Sequence, residues 1–179
     1  MLKNKYVIKL IAIFAVLLMS MYMLTGCEFE KSDSSKKKDK NDDNKEVTSS
    51  YEEPVKYMVE GLSEANSKKF LKAFPDFISE HMEDIFTDEY LENTLKTAES
   101  EFGENIEMSY KITDKTEIDE DELNKMEEDI KNSFDEEITI TKGYELGVEV
   151  TTKGDDAEDT EEDEFNVYEV DGKWYILDL

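Results

Sequence analysis

The sequence predicts an α+β domain in residues 51–179, with N-terminal helices packed against one face of a curved antiparallel sheet. Apolar residues recur at helical spacing between residues 55 and 102, and the period shortens to two residues from Ile106 onward. The chain then closes on two alternating runs joined by Asp171-Gly172, a dipeptide typical of a tight hairpin. Proline and glycine are scarce, so most of the domain is expected to lie in regular elements.

A basic and then apolar segment begins the chain and ends at its single cysteine. Lys3, Lys5 and Lys9 precede an apolar run from Leu10 to Leu24, about 15 residues long. That length suits the core of a signal peptide and falls short of the ~20 residues that span a bilayer as a helix. The positive start is expected to stay on the cytoplasmic side of the membrane.

Leu24-Thr25-Gly26-Cys27 ends this segment. The four residues resemble the lipobox of bacterial lipoproteins, Leu-(Ala/Ser/Thr)-(Gly/Ala)-Cys, whose cysteine sulfur receives a diacylglycerol before a peptidase cuts in front of it. The resemblance implies cleavage between Gly26 and Cys27, a signal peptide over residues 1–26, and lipid attachment at Cys27. The alternatives are a plain transmembrane anchor and an accidental Gly-Cys pair after an ordinary signal.

Residues 27–50 are expected to form a lipid-anchored, disordered linker. Their Ser, Lys, Asp and Asn runs contain almost no apolar side chains, so burial cannot offset the entropy of ordering them. Residues 28–50 hold six lysines and seven acids and are nearly neutral. We interpret the linker as a spacer; contact of its lysines with anionic lipid is the alternative.

The domain itself is strongly acidic. Residues 51–179 contain 12 lysines, no arginine and 40 acids, a net charge of −28. This charge repels nucleic acid and anionic headgroups, so no nucleic-acid partner is expected. The acids are interpreted as a solvated surface, and attraction of cations or of a basic partner is the alternative.

Four apolar stripes at helical spacing predict four N-terminal helices. They are carried by Val55, Met58, Val59 and Leu62; by Phe70, Leu71 and Phe74; by Phe77, Ile78, His81, Met82, Ile85 and Phe86; and by Tyr90, Leu91, Leu95 and Ala98. Pro75 separates the second stripe from the third, and Asp76 is suited to cap the third helix. Thr87 or Asp88 begins the fourth helix, and Gly103 is suited to its C-cap.

Alternating apolar and polar residues predict the strands, with one more helix between them. The first strand carries Ile106, Met108, Tyr110 and Ile112; the second carries Ile138, Ile140, Tyr144, Leu146, Val148 and Val150. A helix is predicted from Asp119 to Phe134. Gly143 and Gly147 on the odd face of the second strand suggest bends or bulges. Residues 155–164 hold eight acids in ten positions and are expected to form a hairpin loop, too charged to be buried.

This order of elements resembles the nuclear-transport-factor-2-like (cystatin-like cone) superfamily, and more closely its small lipid-anchored members common in Gram-positive bacteria. Val170-Asp171-Gly172-Lys173-Trp174-Tyr175-Ile176 is similar to the closing hairpin of that fold, and the amphipathic opening helices also agree with it. The resemblance covers roughly residues 51–179. It implies a fold that hosts enzymes such as steroid isomerases and dehydratases as well as non-catalytic binders, so the fold does not decide the function.

Few residues are candidates for chemistry. His81 is the only histidine and Cys27 the only cysteine, which excludes most zinc sites and any disulfide within the chain. His81 is interpreted as a boundary histidine beside acids. An isomerase-like site needs a carboxylate on an apolar face near a hydroxyl donor, and no acid is expected on such a face. The donors available on strands are Tyr110, Tyr144, Tyr168 and Tyr175, interpreted as core or rim residues.

The acids of residues 155–159 lack the register, glycine and bidentate glutamate of an EF-hand loop. Weak cation binding there is the alternative to a simply solvated loop. We therefore expect no catalytic residue, no metal site and no cofactor.

These observations favour a membrane-anchored, extracytoplasmic lipoprotein with a non-catalytic binding domain. Its partners would be the membrane, through the lipid on Cys27, and an envelope protein or small ligand. It would lie on the outer face of the cytoplasmic membrane. The alternative is an anchored enzyme or small-ligand receptor with a cavity under the curved sheet.

Overall fold

Helices and an antiparallel sheet make up the domain in the computed structural model, which describes residues 50–177. Within that range the order is α1 (Glu53–Ser63), α2 (Ser67–Leu71), α3 (Asp76–Met82), α4 (Asp88–Phe102), β1 (Glu107–Glu117), α5 (Glu120–Phe134), β2 (Ile140–Lys153), β3 (Glu158–Val170) and β4 (Lys173–Ile176). The predicted α+β class is confirmed. The expected signal peptide, residues 1–26, and all of the linker except Ser50 lie outside the described residues.

Capping residues set the ends of α2 and α4. The Asn66 side chain accepts a hydrogen bond from the Lys69 backbone N–H at 3.0 Å, and the Thr87 hydroxyl accepts one from the Tyr90 N–H at 3.2 Å. The helix α4 ends at Gly103, whose φ of +90° favours glycine. The predicted start and end of α4 are therefore confirmed.

The third helix differs from its prediction at both ends. Pro75, in extended conformation, is its N-cap, and Asp76 lies in the first turn, where its charge complements the helix dipole. The helix ends at Met82, so Ile85 and Phe86 follow it in a turn. Phe86 still reaches the core and is 1% exposed.

The four strands form an open antiparallel sheet in the order β1-β2-β3-β4. Asp171 and Gly172 join β3 to β4 with φ angles of 52° and 74°, as the predicted type I′ turn requires. Leu146, Val148 and Val150 are buried together on one side of β2, as the alternation predicted.

Bulges interrupt β1 at Thr113, directly opposite Gly147, and β2 at Thr141; neither glycine is itself the extra residue. A bulge adds one residue to one strand and exchanges the faces of the residues beyond it. Gly143 and Gly147 instead make room for close neighbours. A Cβ atom at Gly143 would lie 2.8 Å from the Leu123 side chain, and one at Gly147 would lie 3.0 Å from the Thr113 hydroxyl oxygen.

The prediction of a loop over residues 155–164 is wrong. β2 and β3 remain paired as far as Lys153 and Glu158, so only residues 154–157 form the turn. The acids from Glu158 onward lie in β3, where β2 satisfies their backbone groups and most of their side chains reach water. A dense run of charge therefore does not prevent a strand with a paired neighbour.

Helices cover parts of both faces of the sheet. The face that carries Leu146, Val148, Phe165 and Val167, called the inner face below, is buried beneath the N-terminal helices, with α1 against β1 and β4. The helix α5 lies on the opposite, outer face, because its Leu123 packs over Gly143 and Tyr168. The prediction that the helices share one face is wrong for α5.

Candidate functional site

A groove lies beside β4, bounded by the Asp171-Gly172 turn and by α1, α2 and α3. Its volume is about 740 Å³, within the range of small-ligand sites. Four aromatic side chains line it: Tyr57, Phe74, Trp174 and Tyr175. The groove therefore offers apolar surface next to the edge of the sheet.

The charges of the groove are nearly balanced, unlike those of the domain. Its lysines are Lys68, Lys72 and Lys173, and its acids are Glu53, Asp76, Glu83 and Asp171. The groove thus contains three of the domain's 12 lysines but only four of its 40 acids. Lys72 also lies over the Tyr57 ring, with Nζ 5.8 Å from the ring centroid. A ligand with both apolar and charged groups would fit this lining.

A backbone hydrogen bond fixes β4 beside the helices. The Ile176 N–H donates to the Ala73 carbonyl oxygen at 2.8 Å, which ties the last strand to the segment after α2. Burial raises the pKa of the Tyr175 hydroxyl, and the nearby Asp76 and Asp171 raise it further. Tyr175 therefore keeps its proton and can donate a hydrogen bond into the groove.

A second group, the aromatic cage, consists of Tyr51, Tyr144 and Trp174. The Tyr144 and Trp174 rings are stacked with centroids 5.2 Å apart, and Tyr51 meets both edge to face at 5.5 and 6.2 Å. The Lys115 Nζ lies 4.5 Å from the Tyr51 centroid and 4.6 Å from the Tyr144 centroid. The Tyr51 and Tyr144 rings thus already hold a cation.

Asp163 is a carboxylate on the inner face of β3. It pairs in register with Val148, and Phe165 follows it on the same face. Its Oδ2 atom is buried and accepts no hydrogen bond within the described residues. Burial therefore raises the pKa of the Asp163 carboxyl above its ordinary value of 3.8. The prediction that no acid lies on an apolar face is wrong for this residue.

Replacing Asp163 with asparagine is expected to stabilise the protein at pH 7 by roughly 0.5–1 kcal/mol, a modest gain because water still reaches part of the group. The protonated Asp163 side chain adds to the stability of the folded state below pH 3.8. This contribution is lost as the pH rises through the raised pKa, because ionisation of the buried carboxyl opposes folding. The advantage of Asp163→Asn should therefore vanish below pH 3.8. Urea unfolding followed by tryptophan fluorescence measures this difference.

The matched control is Glu162→Gln, which removes the same charge from the exposed side of the same strand. It should change the free energy of unfolding by less than about 0.5 kcal/mol. An equal gain from both variants at pH 7 would show that overall charge, and not the burial of Asp163, is responsible.

The remaining candidates from the sequence do not converge on one site. His81 is exposed, with Nδ1 2.8 Å from the Phe77 carbonyl oxygen and its ring 5.7 Å from that of Phe134. The four strand tyrosines divide between the faces: Tyr110 and Tyr144 lie on the inner face, Tyr168 and Tyr175 on the outer face. Gly26 and Cys27, the predicted cleavage and lipidation site, lie outside the described residues.

Sequence reasoning missed the cage and Asp163. Asp163, Phe165 and Val167 occupy alternate positions, so a strand would place all three on one face. The prediction of a loop over residues 155–164 hid this pattern. Tyr51, Lys115 and Trp174 are far apart in the chain, and no local pattern joins them.

Residues 50–177 contain no group of three or more His, Cys, Asp or Glu side chains arranged to hold a metal ion. In the same range, every helix is too short or too polar to cross a bilayer. Comparison of the chain with protein-family models, curated proteins and solved structures gives no match.

Proposed function

We propose that this protein is a lipid-anchored, extracytoplasmic binding protein whose domain holds a protein or small ligand without catalysing a reaction. The lipobox-like Leu24-Thr25-Gly26-Cys27 supports the anchor, and the polar linker supports a domain that stands off the membrane. Two acyl chains on Cys27 would give stable attachment, where one chain is marginal. The protein would then lie on the outer face of the cytoplasmic membrane.

The groove beside β4 is the observation that carries the binding function. It combines four aromatic side chains with balanced charges in a domain whose surface is otherwise acidic. Aromatic residues supply large contact area at low entropic cost, and a few charges fix orientation. A partner or ligand with apolar and polar groups would be bound there.

The cystatin-like cone is proposed as the fold group of residues 51–179. The order of elements and the closing Asp171-Gly172 hairpin support it. The open four-stranded sheet and the position of α5 on the outer face would make this chain a divergent member.

Photo-cross-linking in cells tests the groove. A benzophenone amino acid at Tyr57, inside the groove, should give a defined adduct with the bound partner or ligand. The same group at Lys111, exposed on the outer face of β1, is the control. Equal labelling from both positions, or none from Tyr57, would contradict a binding role for the groove.

Mass spectrometry of the N-terminal peptide tests the anchor. Protein taken from the membrane fraction should begin at Cys27 and carry the mass of a diacylglyceryl group. An unmodified peptide, or one that begins upstream of Cys27, would contradict the proposal.

The second candidate is an anchored enzyme or small-ligand receptor, and Asp163 favours it. A carboxylate with a raised pKa on an apolar face can serve as a proton acceptor for a bound substrate. If the protein turned over a substrate, Asp163→Asn would abolish turnover while leaving the fold intact. Turnover that survives this change would exclude Asp163 as the base.

A further inference from the structure

The Lys115 ammonium is held by aromatic rings and not by a carboxylate. Among the ion pairs of residues 50–177, none includes Lys115, although the domain carries 40 acids. Its Nζ lies over the faces of Tyr51 and Tyr144, within the distance at which a ring quadrupole attracts a cation. The cage therefore binds positive charge through its π surfaces.

The cage does not depend on Lys115 for its shape. Trp174 stacks on Tyr144 with an interplanar angle of 14°, and Tyr51 closes against both rings at 66° and 77°. The three rings are half-buried, whereas Lys115 is exposed. A cation from solution could thus replace the ammonium on rings that are already in position.

The bulge at Thr113 places Lys115 in the cage. Ile112 lies on the inner face, and strict alternation without a bulge would make Asp114 the next side chain there. With the bulge, Lys115 pairs with Leu146 and points inward, while Asp114 turns to the outer face. The chain thus brings a positive charge, and not a negative one, to the rings.

The surroundings of the cage favour cations over other ligands. Glu117 lies on the same face as Lys115 and pairs in register with Tyr144, so an acidic residue stands directly opposite one of the rings. The domain's net charge of −28 also draws cations from solution. A primary ammonium is strongly hydrated, whereas a quaternary ammonium loses little hydration on aromatic surface.

We propose that Tyr51, Tyr144 and Trp174 form a binding site for a quaternary ammonium group and that Lys115 is its internal competitor. The ligand class is a choline- or betaine-type cation, either as a free solute or as a phosphatidylcholine headgroup. The proposal does not rest on the groove ligand or on the lipid at Cys27, since neither contributes to the cage.

Titration of the full-length chain in a maltoside detergent tests this site. Trp174 is the only tryptophan of the protein, so its fluorescence reports binding; because Trp174 also lines the groove, Tyr51→Leu, which changes only the cage, assigns the signal to the cage. Choline chloride should change the fluorescence in a saturable way, and sodium chloride at equal ionic strength should not. Lys115→Met should tighten choline binding about tenfold, because a competitor that occupies the rings for roughly nine-tenths of the time is removed.

Lys111→Met is the matched control, because it removes the same charge from the same strand but on the outer face. It should leave the choline affinity unchanged. Tyr51→Leu, which removes one ring, should abolish binding in the parent and in Lys115→Met. Tyr51→Leu is therefore tested both alone and together with Lys115→Met. Thermal unfolding verifies that each variant is folded.

Two outcomes would overturn the proposal. One is a fluorescence response to choline and to phosphatidylcholine that is no larger than the response to sodium; the other is equal tightening by Lys115→Met and Lys111→Met. Comparing free choline with phosphatidylcholine in mixed micelles distinguishes the two sources of the quaternary ammonium group, a free solute and a lipid headgroup. Saturation by choline identifies a solute site, and saturation by phosphatidylcholine alone identifies a headgroup site.

Discussion

Replacing Gly61 with alanine is expected to destabilise the domain by about 3 kcal/mol, a large part of the ~5–15 kcal/mol that holds a domain folded. A Cβ atom at Gly61 would lie 2.5 Å from the Phe70 Cα and 2.7 Å from its Cβ. Backbone atoms cannot rotate away as a flexible side chain can, so α1 and α2 would have to separate. Phe70 is fully buried and stacks on Phe86, so that separation would open the core.

Thermal unfolding by circular dichroism should show the change as a loss of about 10 °C in Tm. Ser63→Ala, at the end of the same helix, is the control and should change the free energy of unfolding by less than about 0.5 kcal/mol. Because alanine has the higher helix propensity, a Gly61→Ala variant as stable as the parent would show that α1 and α2 are not in this close contact.

Replacing Cys27 with serine is expected to release the protein from the membrane or to leave it unprocessed, with residues 1–26 still attached. The proposed thioether needs a sulfur atom, and Cys27 is the only cysteine. A domain with a net charge of −28 on a nearly neutral linker is repelled by anionic lipid, so residues 28–179 would not hold the protein at the membrane by themselves. For processed protein, the ratio of membrane-bound to unbound chain should fall at least about tenfold, since each buried methylene contributes ~0.8 kcal/mol.

Thr25→Ser is the matched control for this experiment. It changes a neighbouring residue but keeps the pattern Leu-(Ala/Ser/Thr)-(Gly/Ala)-Cys, so the protein should remain anchored. Fractionation of cells and immunoblotting of both variants measure the effect. A Cys27→Ser protein that is processed and sediments with the membranes as the parent does would contradict lipidation at Cys27.

Local patterns in the sequence were sufficient wherever one short segment determines the geometry. Thr87, Gly103 and the Asp171-Gly172 turn act on their own neighbours, so capping and turn chemistry predicted them correctly. The α+β class followed from apolar periodicity, which depends only on which face of each element is buried.

The errors lie where distant segments decide the outcome. The acids of residues 158–164 form a strand because β2 pairs with them, and composition alone cannot reveal a partner. The bulge at Thr113 reverses the alternation of β1, so Lys115 meets the rings of Tyr51 and Tyr144, which come from two other parts of the chain. The groove likewise requires α1, α3 and β4 to be brought together.

The hydrogen bond from Ile176 to Ala73 has a consequence for the order of events during biosynthesis. Ile176 and Leu177 are 3% and 0% exposed, so the core is closed by residues that leave the ribosome after the rest of the domain. Trp174 likewise meets Tyr51, at the opposite end of the domain, only after most of the chain has emerged. Folding that depends on such long-range contacts is slow to begin. The core of the nascent domain should therefore close only after its last strand is free.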